Sequence, residues 1–260
     1  MLIDFYIRYR NYFHYAFLRR KGKETPLPLS FWEEEKKRLN RYSPKTDILL
    51  PAQRLVKSKG SRVSIGAISG MIGQDTIGVW TLDRLTIVTI WMQLLHFRPK
   101  VIAECGCGIS SLVIAKYLSL SLSDGICISF EQSESEKRRV EDRLAREGIN
   151  DRVHIIHTPV NDKGEYIFNG GQILAALGGK QLECIIIDGP GGPDKCRENT
   201  LPSLMKFTAP DCRWWLDDAL RDGEMEFLRT WERLPGVKVA GIIPVGKGLG
   251  TGTVCFSPGQ

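Results

Sequence analysis

The sequence predicts an α/β protein: a Rossmann-like, doubly wound, mostly parallel sheet closed by an antiparallel C-terminal hairpin, with an N-terminal helical extension. Three observations carry this expectation. Residues 101–118 run from an apolar stretch through Glu104, Gly106 and Gly108 into a helix-like pattern, which reads as strand, tight turn and helix start. Short apolar runs recur at 126–130, 153–156, 184–187 and 213–216 with helical stretches between them, the alternation that builds a parallel sheet with helices on both faces. Residues 237–245 and 251–256 then flank the glycine-rich turn 246–250 and read as a closing hairpin.

The elements follow in order. Residues 82–97 form an apolar helix ended by Arg98-Pro99-Lys100, with His96 expected as a packing residue. The second strand ends on Glu131, 27 residues after Glu104. Residues 133–147 are highly charged and helical, and Asp151-Arg152 leads into the third strand. The fourth strand is wholly apolar and ends in Asp188-Gly189-Pro190; the fifth ends in Asp217-Asp218. A chain of 260 residues holds one such domain, residues 80–260, plus an extension and connector, residues 1–79.

In that extension Leu2, Phe5, Tyr6, Tyr9, Phe13, Ala16 and Phe17 share one helical face, with Arg8, Arg19, Arg20 and Lys21 mostly elsewhere. Such a helix packs on its own domain or on a second subunit as a homodimer, or lies peripherally on an anionic membrane. Residues 24–29 carry two prolines and read as a linker, and Ser30-Phe31-Trp32-Glu33 resembles a capping box for a helix to about Asn40. Residues 58–78 read as a connector or as a loop closing over a ligand.

Composition narrows the class. No apolar run approaches the ~20 residues of a membrane span, and the first residues lack the apolar core and cleavage site of a signal peptide. Seven cysteines, with Cys105, Cys127, Cys184 and Cys255 in or beside strands and no C-x-x-C pair, read as buried thiols of a reducing cytoplasm. The net charge of +6 permits an anionic partner without demanding nucleic acid, and none is expected.

Ligands in such sheets bind beyond the carboxyl ends of the strands. Glu104, Glu131, Asp188, Asp217 and Asp218 all stand at such ends. A carboxylate ending the second strand accepts two hydrogen bonds from ribose hydroxyls. Ser111 holds the place of the third glycine of a dinucleotide loop, and the acid before the first glycine suits a cationic ligand better than a pyrophosphate. These features resemble motif I, E-x-G-x-G, of the class I S-adenosylmethionine (SAM) methyltransferases. The resemblance implies SAM as cofactor. Glu104 would hold the methionine amino group, directly or through water, Gly106, Gly108 and Ser110 would pass beneath the methionine and ribose, Glu131 would take the ribose diol, and Thr158 and Pro159 would lie near the adenine.

Asp188, Asp217 and Asp218 end neighbouring strands, so their carboxylates converge at one rim, an oxygen-ligand arrangement that hard divalent cations favour. The pattern resembles the metal-dependent O-methyltransferases of the catechol O-methyltransferase type. It implies Asp188 and Asp217 as catalytic residues, and Asp188, Asp217 and Asp218 as ligands of Mg²⁺ or Mn²⁺. Asp218 stands where that family carries asparagine, which leaves open a metal-free centre with one acid as base, or simple helix-capping and loop acids. Asp188-Gly189-Pro190 also resembles the D-G-P segment of glycan O-methyltransferase-like proteins, so the implied acceptor is a hydroxyl of a small molecule or glycan. Arg221 and Glu224 either contact an acceptor or pair on a helix surface, the second being the expectation. A non-catalytic SAM-binding interaction protein, an aminopropyltransferase or an NAD-dependent oxidoreductase remain alternatives.

Overall fold

The computed structural model describes residues 82, 84–121, 124–243 and 245–255. The expected N-terminal helix, linker, capping box and connector, and the boundary at 79/80, lie outside them. The described chain runs α1 (Arg84–Phe97), β1 (Val101–Cys105), α2 (Ile109–Ser121), β2 (Ile126–Glu131), α3 (Glu134–Arg146), β3 (Val153–His157), α4 (Gly170–Leu177), β4 (Leu182–Ile187), α5 (Thr200–Leu204), β5 (Thr208–Leu216), α6 (Asp222–Glu232), β6 (Val237–Ile243) and β7 (Leu249–Val254). The strands form one sheet in the order β3-β2-β1-β4-β5-β7-β6. The first five are parallel; β7 slots antiparallel between β5 and β6.

The central strands β1, β2 and β4 are largely apolar because both their faces are covered, with Glu104, Ser129 and Glu183 as interruptions. Period-2 alternation deals their side chains to two cores. Cys184 and Ile186 of β4 and Trp215 of β5 join Ile102, Trp91, Leu94, Tyr117 and Leu144, under α1, α2 and α3. Ile185, Ile187 and Trp214 join Ala103, Ile173, Leu201, Phe227 and Trp231, under α4, α5 and α6. Trp214 and Trp231 meet edge to face at 5.4 Å, and the Tyr117 hydroxyl donates to the Pro99 carbonyl at 3.0 Å. The charged helix α3 is amphipathic: Val140 and Leu144 are buried, Ser133 caps its N-terminus by accepting from the Glu136 amide, and Lys137–Glu141 pairs across one turn outside.

Three expectations need correction. β5 starts at Thr208, five residues before the apolar run 213–216, because a register shift absorbs Ala209-Pro210-Asp211, with Asp211 at φ 60°. His96 is exposed and only edges against Phe97; two residues beyond the fully buried Leu94, it points around the helix from the core stripe. Cys255 is exposed, since it follows the last residue of β7, whereas Cys105, Cys127 and Cys184 are buried as expected.

Gly252 sits where β7 passes between Trp214 of β5 and Lys238 of β6, and a Cβ there would run into the Trp214 indole and the Lys238 carbonyl. Gly252→Ala is therefore expected to lower the folding free energy by about 3 kcal/mol or more, read as a drop in the urea midpoint. A midpoint equal to wild type would show that the sheet tolerates a wider β7.

Candidate functional site

The carboxyl ends of β1, β2, β4 and β5 surround a cavity of about 420 Å³, of the size that takes a small cofactor. Its wall includes Gly106, Cys107, Gly108, Ser110, Glu131, Gln132, Ser133, Arg139, Tyr166, Asp188, Gly189, Arg197, Asp218, Arg221 and Lys247. The floor is a close approach of two loops. The Cys105 carbonyl accepts from the Asp188 amide at 2.9 Å and the Gly189 amide at 2.6 Å, and Gly106 donates to the Phe130 carbonyl at 2.8 Å.

The two motif glycines do different things. Gly106 has φ +90°, and a Cβ on it would lie 2.9 Å from the Gly189 nitrogen. Its requirement is loop against loop, not loop against ligand. A Cβ on Gly108 would meet nothing within 4 Å, so Gly108 is the glycine whose side-chain direction is open.

Glu131 is held from behind. One carboxylate oxygen accepts from the Cys107 amide at 2.9 Å and the other from the Ser133 amide at 2.8 Å. Each oxygen keeps a lone pair, and the carboxylate lines the cavity.

Glu104 does not touch the cavity. It shares a strand face with Ile102, under α2, is fully buried, and accepts from Ser111 Oγ at 2.5 Å and Ser129 Oγ at 2.8 Å. Its Oε1 has no partner. Burial raises its pKa to about 7, against the pull of its serine hydrogen bonds. Thr158 and Pro159 also lie off the wall: the Thr158 amide donates to the Glu131 carbonyl at 2.7 Å and its hydroxyl to the Ile156 carbonyl, while Pro159 is exposed. The structure thus moves Glu104 and Thr158 from contact to support, because alternation and main-chain bonding turn them away. Gln132, Ser133, Glu136 and Arg139 line the cavity instead.

The three aspartates do converge: one carboxylate oxygen from each of Asp188, Asp217 and Asp218 lies within 4.8 Å of the others. Asp188 and Asp218 line the cavity; Asp217 is buried behind the wall at 4% exposure and does not. Three cations surround them. Lys247 Nζ pairs with Asp218 Oδ1 at 2.7 Å, and Arg221 and Arg197 reach Asp218 Oδ2 at 2.6 and 3.3 Å. Arg197, 5% exposed, also lies 3.6 Å from Asp188 and 3.9 Å from Glu224, and donates to the Pro190 carbonyl at 3.2 Å and the Asp217 carbonyl at 3.3 Å. Burial alone would raise the Asp218 pKa, but Lys247, Arg197 and Arg221 hold it well below the usual carboxylate range. Burial raises Asp188, with Arg197 pulling against it.

Arg221 and Glu224 do pair, at 3.8 Å, but not on a helix surface: Glu224 is 4% exposed and Arg221 is part of the cavity wall. Arg197, Lys247, Tyr166 and Arg139 were not found by sequence reasoning. Arg197 lies in an irregular stretch after Asp188, and Lys247 was absorbed into the glycine-rich turn, where nothing local marks a basic residue as buried.

A divalent cation, as the catechol-type resemblance implies, does not fit this donor set. Both oxygens of Asp218 already face cations, and four acids, Asp188, Asp217, Asp218 and Glu224, stand against Arg197, Arg221 and Lys247. SAM fits better. Gly108 leaves the loop open, and Glu131 presents a braced carboxylate with lone pairs to spare.

No family model and no curated protein matches the chain. Solved structures do. The SAH-bound Podospora anserina methyltransferase PaMTH1 has a TM-score of 0.53 at 16% identity, covering 90% of this chain and 99% of its own. The O-methyltransferase from Bacillus cereus in complex with SAH scores 0.53 at 15% identity, covering 83% and 97%. The O-methyltransferase TomG from Streptomyces achromogenes, in complex with SAM, scores 0.52 at 17% identity, covering 78% and 92%. The chain shares the Rossmann-like fold of these methyltransferases.

Two outcomes follow from the loop. Gly106→Val is expected to destabilise the fold, whereas Gly108→Val is expected to melt near wild type and lose cofactor affinity; parallel melting and SAH titrations check both. Because the folded pKa of Glu104 is raised, the folded state keeps a proton that the unfolded chain has lost. Stability from this group is full below the ordinary glutamate value of 4.5 and is lost as pH rises to about 7, a loss of about 3 kcal/mol. Denaturant melts of Glu104→Gln across that window are expected to be flatter than those of wild type.

Proposed function

We propose that the protein is a SAM-dependent methyltransferase that methylates a hydroxyl of a small molecule or glycan. The observation that carries this reading is the cavity in which the open Gly108 loop, the braced Glu131 carboxylate and Asp188 share one wall. The Gly106–Gly108 backbone and Ser110 would hold the methionine portion, and Glu131 would accept from the ribose diol. Glu104, Thr158 and the Gly106–Gly189 approach would keep that surface in shape.

SAM supplies an electrophilic methyl group on a sulfonium. The protein has to align the acceptor oxygen with it and take a proton. Asp188 is the base. The hydroxyl proton passes to its carboxylate, the oxygen's electron pair forms the O–C bond, and the C–S pair stays on sulfur, leaving S-adenosylhomocysteine (SAH). The raised pKa of Asp188 suits a proton acceptor. The main-chain carbonyl of Asp217 supports it from behind by accepting from Arg197, which also lies beside Asp188.

The placement is cytoplasmic. Seven unpaired cysteines suit a reducing compartment, and no helix among the described residues is long and apolar enough to cross a membrane. Nucleic acid is not the expected partner.

Calorimetry separates this reading from its alternatives: SAM and SAH should bind and NAD should not. The reverse order of affinities would move the protein to the oxidoreductases. Glu131→Ala orphans two main-chain amides and Glu131→Gln one, so Glu131→Gln is read beside a melting curve and is expected to weaken SAH by about 1.5–3 kcal/mol, more than it weakens the fold. Asp188→Asn should leave SAH affinity near wild type and abolish transfer of the methyl group from labelled SAM to an accepted hydroxyl.

A further inference from the structure

We propose that Lys247 takes the place of a divalent cation: its ammonium, beside Asp218 in the convergent acid group, is the charge that the acceptor oxygen meets, and the centre works without a metal. The inference deepens the methyl-transfer reading and rests on it.

The three aspartates gather as tightly as a metal would require. The charge already among them is Lys247, 2.7 Å from Asp218 and on the cavity wall, its side chain still 13% exposed. Arg221 and Arg197 close the remaining oxygen of Asp218. Asp218 is the one carboxylate that all three cations share. Four acids and three bases leave one formal negative charge; a divalent cation would invert it and stand against three like charges.

The backbone delivers Lys247 to this place. The turn between β6 and β7 is bonded onto the loop after β5, Ala219 amide to Gly248 carbonyl at 3.0 Å and Leu220 amide to Lys247 carbonyl at 3.1 Å. Gly248, at φ +92°, packs against Leu220 with no space for a Cβ. The turn is therefore pinned to the strand end that carries Asp217 and Asp218.

An ammonium here does by hydrogen bonding what a Lewis acid does by coordination. It donates to the acceptor oxygen and favours its negative charge as the proton passes to Asp188. The oxygen's pair then forms the bond to the methyl carbon, and sulfur keeps the C–S pair. Lys247 ends as it began, protonated.

The test is a thermal scan of the full chain with SAH present, in EDTA and in Mg²⁺, Mn²⁺ or Ca²⁺, beside calorimetry of SAH alone. The wild type is expected to melt at one temperature in all four. Lys247→Met removes the resident charge and is expected to gain a melting shift of several degrees with Mn²⁺, while Lys247→Arg is not. A divalent shift in the wild type, or none in a folded Lys247→Met, overturns the proposal. Should Lys247→Met not fold, a Mn²⁺ relaxation titration of the wild type decides alone: no bound Mn²⁺ supports the proposal and tight binding refutes it. Failure of SAH to bind is a separate outcome and sinks the methyl-transfer reading itself.

Discussion

One buried guanidinium holds the rim of this sheet together. Arg197 bonds the Pro190 carbonyl beyond β4 and the Asp217 carbonyl beyond β5, and lies beside Asp188, Asp218 and Glu224. A charge taken this far from water is tolerated only when paired and hydrogen bonded. Arginine meets that demand because its planar fork presents five donors in several directions. Five groups from three segments thereby have one common partner, and the loops that shape the cavity cannot move independently of one another.

The cavity has two unlike halves as a result. Around Gly106, Gly108 and Glu131 the groups are main chain and one braced carboxylate, and the surface is preformed by bonds within the protein. Around Asp188, Asp218, Arg221 and Lys247 the groups are fully charged and close together. The first half suits a nucleoside-bearing cofactor. The second suits the place where charge moves, since fixed charges in a dry wall act more strongly than in water. The fold puts both halves at the carboxyl ends of the parallel strands, where helices on either face leave the crevice open.

Much of the framework was legible in the sequence. Apolar runs announce the strands buried on both faces, 126–131 and 182–187, and the edge strand 153–157 shows through its alternation; all three lie within two residues of the runs that mark them. The start of β5 was not legible, because Ala209-Pro210-Asp211 looks like a turn and is absorbed as a bulge. Site acids were legible as positions but not as directions. Glu104 stands one residue before the end of β1 and Glu131 ends β2, yet the first is sealed under α2 and the second fronts the cavity. The bases were not legible at all. Arg197 and Lys247 lie in irregular segments, and their burial follows from tertiary contacts with acids far off in the chain.

A crystal structure of the SAH complex grown with Mn²⁺, with anomalous data, tests the account most directly. It should place the adenosine against Gly108 and the ribose on Glu131, with Lys247 beside Asp218 and no anomalous peak among Asp188, Asp217 and Asp218. An SAH molecule elsewhere would contradict the cofactor site. A Mn²⁺ peak within the acid group, with Lys247 displaced, would contradict the metal-free centre.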